Sequence, residues 1–103
     1  MNEFVLPLRV YYEDTDAVGI VYHSNYLKFM ERARTEWCFA AGYGLDKLAE
    51  QGVGFVVRRM NIELFRPARL FDDIEVVSQI NESTRTSLWF KQWIRKQTDA
   101  DYI

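Results

Sequence analysis

The chain has 103 residues, carries 13 Lys+Arg against 15 Asp+Glu for a formal charge of −2, and is 49% hydrophobic. That composition fits one globular domain with a single core, and excludes two independent ones. Acidic and basic residues are interleaved, which leaves no electrostatic footprint for nucleic acid or an anionic membrane, and no apolar run approaches the roughly 20 residues that span a bilayer, so a cytoplasmic location without membrane insertion is expected.

The first residues lack the basic start of a leader. Leu6, Leu8, Val10 and Tyr12 then alternate with Arg9 and Glu13, the two-residue period of a half-buried strand, which predicts a strand over about 4–12. Ser24 is a suitable N-cap for a helix. Beyond it Leu27, Met30, Trp37, Cys38 and Ala41 recur near helical spacing, Arg32 and Glu36 stand four apart as a possible surface pair, and Gly42 supplies a left-handed stop. Tyr26, Phe29, Ala33 and Ala40 form a further apolar set on its other sides. Such a helix is too hydrophobic to lie with one face in water and is expected to be wrapped.

A second, short helical piece is expected near 45–50, followed by three strands. The first covers about 55–65, with Val56, Met60, Ile62 and Leu64 on one parity and Pro67 barring a longer central strand. The second covers about 73–81, with Ile74, Val76 and Ile80 on one face. The third covers about 86–95, with Leu88, Phe90 and Ile94 opposite Trp89 and Trp93. The outward tryptophans point to a subunit contact or to packing across a neighbouring strand pair. Strand, long apolar helix and then a run of strands is the α+β pattern of an antiparallel sheet curled around one central helix.

Chemical potential concentrates in residues 11–26, where three acids, several phenols and the single histidine precede a helix N-terminus whose unpaired N–H groups can face a carbonyl oxygen or oxyanion. If the strand continues past Tyr12, then Tyr12, Asp14 and Asp16 share one parity and reach the same side. Each residue also has a plainer reading: Asp16 as a turn or cap residue, His23 as an exposed imidazole, Cys38 as a buried inert thiol. One cysteine and one histidine exclude an internal disulfide and a structural zinc site, so no metal is expected. No nucleophile elbow, P-loop or dinucleotide fingerprint is present.

The run Val10-Tyr11-Tyr12-Glu13-Asp14-Thr15-Asp16, followed by Gly19-Ile20-Val21-Tyr22-His23, Asn25-Tyr26 and Glu31-Arg32-Ala33-Arg34, resembles the 4-hydroxybenzoyl-CoA thioesterase family of hotdog-fold enzymes. The resemblance is strongest to the bacterial acyl-CoA thioesterase branch associated with the Tol-Pal system. It continues through Phe55-Val56-Val57-Arg58-Arg59-Met60, Arg66-Pro67-Ala68 and Asp72-Asp73, nearly the whole chain. It implies hydrolysis of the thioester between an acyl group and coenzyme A or an acyl carrier protein, and the chain's many Phe, Tyr and Trp side chains, which would leave a modest pocket, favour a short-chain or aromatic acyl group. Coenzyme A is then part of the substrate, and no cofactor is expected. Asp16 is implied as the catalytic carboxylate, either nucleophile or general base, with the backbone N–H of His23 as oxyanion donor and Tyr12 and the His23 imidazole as supporting groups. Tyr22, Asn25, Glu31, Arg58 and Arg59 are carried over as substrate-binding candidates, with Arg66 and Arg85 as further partners for phosphate.

The family normally continues with one more strand, lying between those placed at 86–95 and 55–65, so the chain reads as a single hotdog domain truncated at its C-terminus. Its exposed strand edges and the family's habit imply a homodimer or homotetramer. Two other readings stand beside the hydrolase: a non-catalytic hotdog module that binds acyl-CoA or acyl carrier protein, and a dehydratase or isomerase using His23 as base.

Overall fold

Alternation sets the first strand, β1 (Glu3–Arg9), whose Phe4, Leu6 and Leu8 turn inward while Val5, Pro7 and Arg9 stay exposed. The computed structural model describes residues 3–42, 44–98 and 101–103. β1 lies at the edge of a three-stranded sheet in which β2 (Asp73–Ser83) is central and β3 (Leu88–Lys96) is the other edge, and an edge tolerates the missing N–H of Pro7. The strand ends earlier than its apolar alternation predicts. A 3-10 turn over Tyr12–Asp14 interrupts it, because the Tyr11 N–H donates to Asp14 Oδ2 (2.8 Å) and the Asp14 N–H to the Tyr11 carbonyl (3.0 Å). A short acid that bonds the backbone locally competes with a ladder. Tyr12, Asp14 and Asp16 therefore do not share a strand parity, and Tyr12 is 76% exposed.

The long helix α1 (Asn25–Ala40) buries Tyr26, Phe29 and Ala33, three residues of the second apolar set. Leu27, Met30, Trp37 and Cys38 form half-buried flanks, and Ala40 and Ala41 are exposed. Trp37 stacks on Phe4 (5.9 Å between ring centroids) and meets Phe90 edge-on (6.1 Å), so the sheet reaches both flanks of the helix, while Lys28, Glu31, Arg32 and Glu36 face outward. Ser24 occupies the N-cap position but in helical conformation, and its side chain makes no capping bond. Arg32 and Glu36 form no ion pair among the described residues. Gly42 takes φ 90° just past the helix, a left-handed conformation that strains any residue with a side chain, and the short helix α2 (Leu45–Glu50) follows as expected.

β2 (Asp73–Ser83) runs antiparallel to β1, with Leu6 opposite Val76, and to β3 (Leu88–Lys96), with Val76 opposite Ile94. The core gathers Val10, Phe29, Ala33, Ile74, Val76 and Ile94 between α1 and the sheet. One polar cluster lies under the helix. Gln92 Nε2 donates to the Met30 carbonyl (3.0 Å) and to the buried Ser78 Oγ (2.9 Å), while Arg34 Nη1 donates to Gln92 Oε1 (2.8 Å). On the other face Trp89 is 47% exposed, and Trp93 is half-buried with its ring 6.2 Å from that of Tyr102.

The strand expected at 55–65 does not form. Among the described residues none from 54 to 65 enters a backbone hydrogen bond, and 51–65 are exposed. Alternation supplies an apolar face, but every N–H and C=O of a strand also needs a neighbour, and among the described residues no strand lies alongside this stretch. Among the described residues the outer edge of β3 meets the chain again at the Arg95–Tyr102 bridge, where the Ile103 N–H reaches the Ile94 carbonyl (2.8 Å).

Candidate active site

Residues 15–21 fold back on themselves through a bridge between Thr15 and Val21. Between them the Asp16 N–H donates to the Ile20 carbonyl (2.9 Å), the Gly19 N–H to the Asp16 carbonyl (3.1 Å), and Gly19 adopts φ 82°, a conformation open to glycine. The Asp16 carboxylate is exposed, and its Oδ1 accepts the Val18 N–H (3.0 Å). This Asx turn holds one oxygen, and Oδ2 meets no partner among the described residues.

Three links join the turn to the helix entrance. The Asp14 carbonyl accepts both the Tyr22 N–H (2.9 Å) and the Asn25 side-chain amide (2.8 Å). Val21 donates to the Ala68 carbonyl (2.9 Å), beside a bridge between Ile20 and Arg69. The Ala68 N–H in turn donates to the buried Tyr26 hydroxyl (3.0 Å). Ala68 thus holds the end of the turn and the first turn of α1 in one register. Burial pushes the Tyr26 phenol above its ordinary range, opposed by that hydrogen bond from Ala68.

At the entrance the Asn25 N–H bonds the Tyr22 carbonyl, the Tyr26 N–H that of His23 and the Leu27 N–H that of Ser24. Among the described residues the N–H groups of His23 and Ser24 meet no acceptor. The exposed His23 ring lies 4.6 Å from that of Tyr22. A cavity of about 230 Å³ opens between Ile20, Val21, His23 and Tyr26 on one side and residues 64–67 on the other. A larger, open hollow of about 560 Å³ beside it, between Phe65, Arg66, Asp101 and Tyr102, includes only one residue that the sequence singles out, Arg66.

The structure thus gathers Tyr22, His23 and Asn25 at the helix entrance and attaches Asp16 to it through a short turn. Asp16 itself does not line the cavity, nor do Tyr12, Glu31, Arg58 and Arg59. Glu31 is exposed on α1, while Arg58 and Arg59 are exposed within the unpaired stretch. Arg66 donates to the carbonyls of Tyr102 (3.1 Å) and Asp101 (3.2 Å) and pairs with the Asp101 carboxylate. Cys38 is half-buried, and burial pushes its thiol upward, away from the reactive thiolate.

Two residues at the site escape sequence reasoning. Tyr26 stands inside the motif but reads as one member of an apolar helix set, and only its contact with Ala68 shows what its hydroxyl does. Phe71 has φ 67° and sets its ring edge-on to Tyr12 at 6.2 Å, and nothing in its local sequence announces a left-handed conformation.

Comparison with known proteins agrees with this architecture. Residues 10–103 match the thioesterase-like superfamily. The chain is 48% identical over 91 residues to the acyl-CoA thioester hydrolase YbgC of Escherichia coli O157:H7, covering 88% of this chain and 68% of that protein. It is 41% identical over 98 residues to the acyl-CoA thioesterase YbgC of Haemophilus influenzae, covering 94% and 72%. Among solved structures, a probable thioesterase from Bartonella henselae superposes with a TM-score of 0.88 at 33% identity, over 92% of this chain and 80% of that one. The 4-hydroxybenzoyl CoA thioesterase from Pseudomonas sp. strain CBS-3 shares the fold, with a TM-score of 0.86 at 21% identity over 100% and 77%. With its helix laid on an antiparallel sheet and its motif residues gathered at the helix entrance, the chain belongs to the thioesterase-like superfamily and is a hotdog-fold thioester hydrolase.

Proposed function

We propose that the chain hydrolyses the thioester of an acyl-coenzyme A, with Asp16 as the reacting carboxylate. The observation that carries the proposal is the pairing of a carboxylate on a fixed turn with a helix entrance whose His23 and Ser24 N–H groups have no protein acceptor. A thioester carbonyl oxygen directed at those N–H groups becomes an oxyanion in the transition state, and one such donor contributes on the order of 3 kcal/mol where it has been removed by mutation. Asp16 then either adds to the carbonyl carbon, giving a mixed anhydride that water cleaves, or takes the proton from an attacking water. Either route breaks the C–S bond, and the departing thiolate takes a proton, leaving a carboxylic acid and free coenzyme A.

The remaining roles follow the same reading. Tyr12 and the His23 imidazole orient the carboxylate, water or substrate, and Asn25 fixes the helix entrance through Asp14. Tyr22 flanks the bound acyl group, Glu31 borders the substrate from α1, and Arg58 and Arg59 face the coenzyme A phosphates from an exposed stretch. The cavity of about 230 Å³ favours short or single-ring acyl groups, since a cavity of about 150 Å³ already accepts benzene. Acyl carrier protein is the alternative thiol carrier, and a homodimer or homotetramer is the assembly we propose. The Tol-Pal association rests on the sequence resemblance alone.

The test is thiol release from a panel of acyl-CoA substrates, with binding measured in parallel. Asp16→Asn is expected to keep the fold and acyl-CoA binding while kcat falls about 100-fold or more. Hydrolysis at the wild-type rate in Asp16→Asn overturns the assignment of Asp16. Binding without hydrolysis by the wild-type chain favours a non-catalytic module.

A further inference from the structure

Phe71 is the one non-glycine residue with positive φ among the described residues, at 67°. For a bulky side chain that conformation is disfavoured by the clash of Cβ with the following carbonyl. The turn it occupies is held by the Phe71 N–H to the Val10 carbonyl (2.9 Å), the Val10 N–H to the Asp72 carbonyl (2.9 Å), the Asp72 N–H to the Arg69 carbonyl (3.0 Å) and the Arg69 N–H to Asp72 Oδ2 (2.9 Å). None of these bonds uses the Phe71 side chain, so a glycine would make the same turn without strain. Nor does core burial explain the ring, which is 61% exposed.

What the ring does touch is Tyr12. The two rings meet edge-on at 88° with centroids 6.2 Å apart, the arrangement in which aromatic quadrupoles attract. Tyr12 is 76% exposed, and its carbonyl accepts both the N–H (3.1 Å) and the hydroxyl (2.8 Å) of Thr15, the neighbour of Asp16. The backbone therefore places Tyr12 beside the Asp16 turn, while its ring has Phe71 as aromatic partner. Strain kept where neither burial nor hydrogen bonding requires it is a mark of function.

We propose that Phe71 is a positioning residue: its strained backbone presents an exposed ring that buttresses Tyr12, whose carbonyl holds Thr15 at the start of the Asp16 turn. The proposal rests on the thioesterase reading above, and acts through Tyr12 without contact to substrate. Replacing the ring with glycine then has opposite effects on stability and turnover, which a merely structural residue does not show.

The experiment measures Tm, kcat and KM for wild type, Phe71→Gly, Phe71→Tyr and Tyr12→Ala, together with the ring signals of 13C-labelled tyrosine by NMR. Phe71→Gly is expected to raise Tm by a few degrees, lower kcat about tenfold with KM little changed, and shift the Tyr12 ring signal. Phe71→Tyr restores kcat and the signal. Adding Phe71→Gly to Tyr12→Ala gives no further fall in kcat, because the two act as one unit. The proposal is overturned if Phe71→Gly turns over at the wild-type rate with an unmoved Tyr12 signal, or if Tm and kcat fall together. If the wild-type chain releases no thiol, the thioesterase reading fails, and the Tyr12 signal alone decides: a shift in Phe71→Gly upholds the buttress and no shift removes it.

Discussion

Residues 10–26 and residues 54–65 are both rich in apolar and aromatic side chains, yet only the first is tied down. In 10–26 the Asp14 carboxylate and carbonyl, the Asp16 carboxylate, the Asn25 amide and the Tyr26 hydroxyl each bond a backbone group. In 54–65 no backbone hydrogen bond forms among the described residues, and at its end Phe65 tilts against Tyr102 at 6.2 Å and residues 64–67 wall the cavity. The difference lies in where the partners come from. A turn built on short polar side chains carries its partners within a few residues, whereas a strand must find them on a distant part of the chain.

The sharpest way to break the comparison is to remove what the tied region rests on. Phe29 is 2% exposed at the centre of the core, and Phe29→Ala is expected to cost about 3–5 kcal/mol in urea unfolding, loosening α1 and the site together. Asn25→Ala removes the amide that holds the Asp14 carbonyl. It is expected to cost about 1 kcal/mol of stability and to lower kcat more than it raises KM, because the helix entrance loses its link to the Asp16 turn.

Tyr26 allows the comparison to be sharpened by pH. Its folded pKa is raised above the ordinary 10.0, first by burial, so the folded state holds the phenolic proton more tightly than the unfolded chain. The contribution is therefore fully present below about pH 10 and is lost as pH rises through the raised value. Urea midpoints measured at pH 8 and pH 11 should show this fall in the wild type and a smaller one in Tyr26→Phe. The smallest effect belongs to the untied stretch. Val56 is 90% exposed, and Val56→Ser is expected to change unfolding stability by no more than about 0.5 kcal/mol. A loss of several kcal/mol there would mean that 54–65 is paired in solution.

Much of this arrangement was legible in the sequence. The periods of β1, β2 and β3, the span of α1 with Gly42 beyond it, α2, and the concentration of chemistry in 11–26 all follow from spacing and residue type. Periodicity left two apolar sets on α1 without ranking them, and only contact with the sheet selects Tyr26, Phe29 and Ala33 as the buried residues. It also carried β1 through Tyr12, where the hydrogen bonds between Asp14 and Tyr11 turn the chain instead.

By itself, then, the sequence determined what acts over a few residues: strand and helix periods, the glycine beyond α1, and the acid-rich turn leading to the helix entrance. The tertiary structure decided what depends on partners far along the chain. The Ala68 N–H found the Tyr26 hydroxyl 42 residues away, Phe71 met Tyr12 across a strained turn, and 54–65 found no ladder among the described residues. Local hydrogen bonds and side-chain periods are written within a turn or two of chain. Pairing and burial belong to surfaces that exist only once the chain has folded.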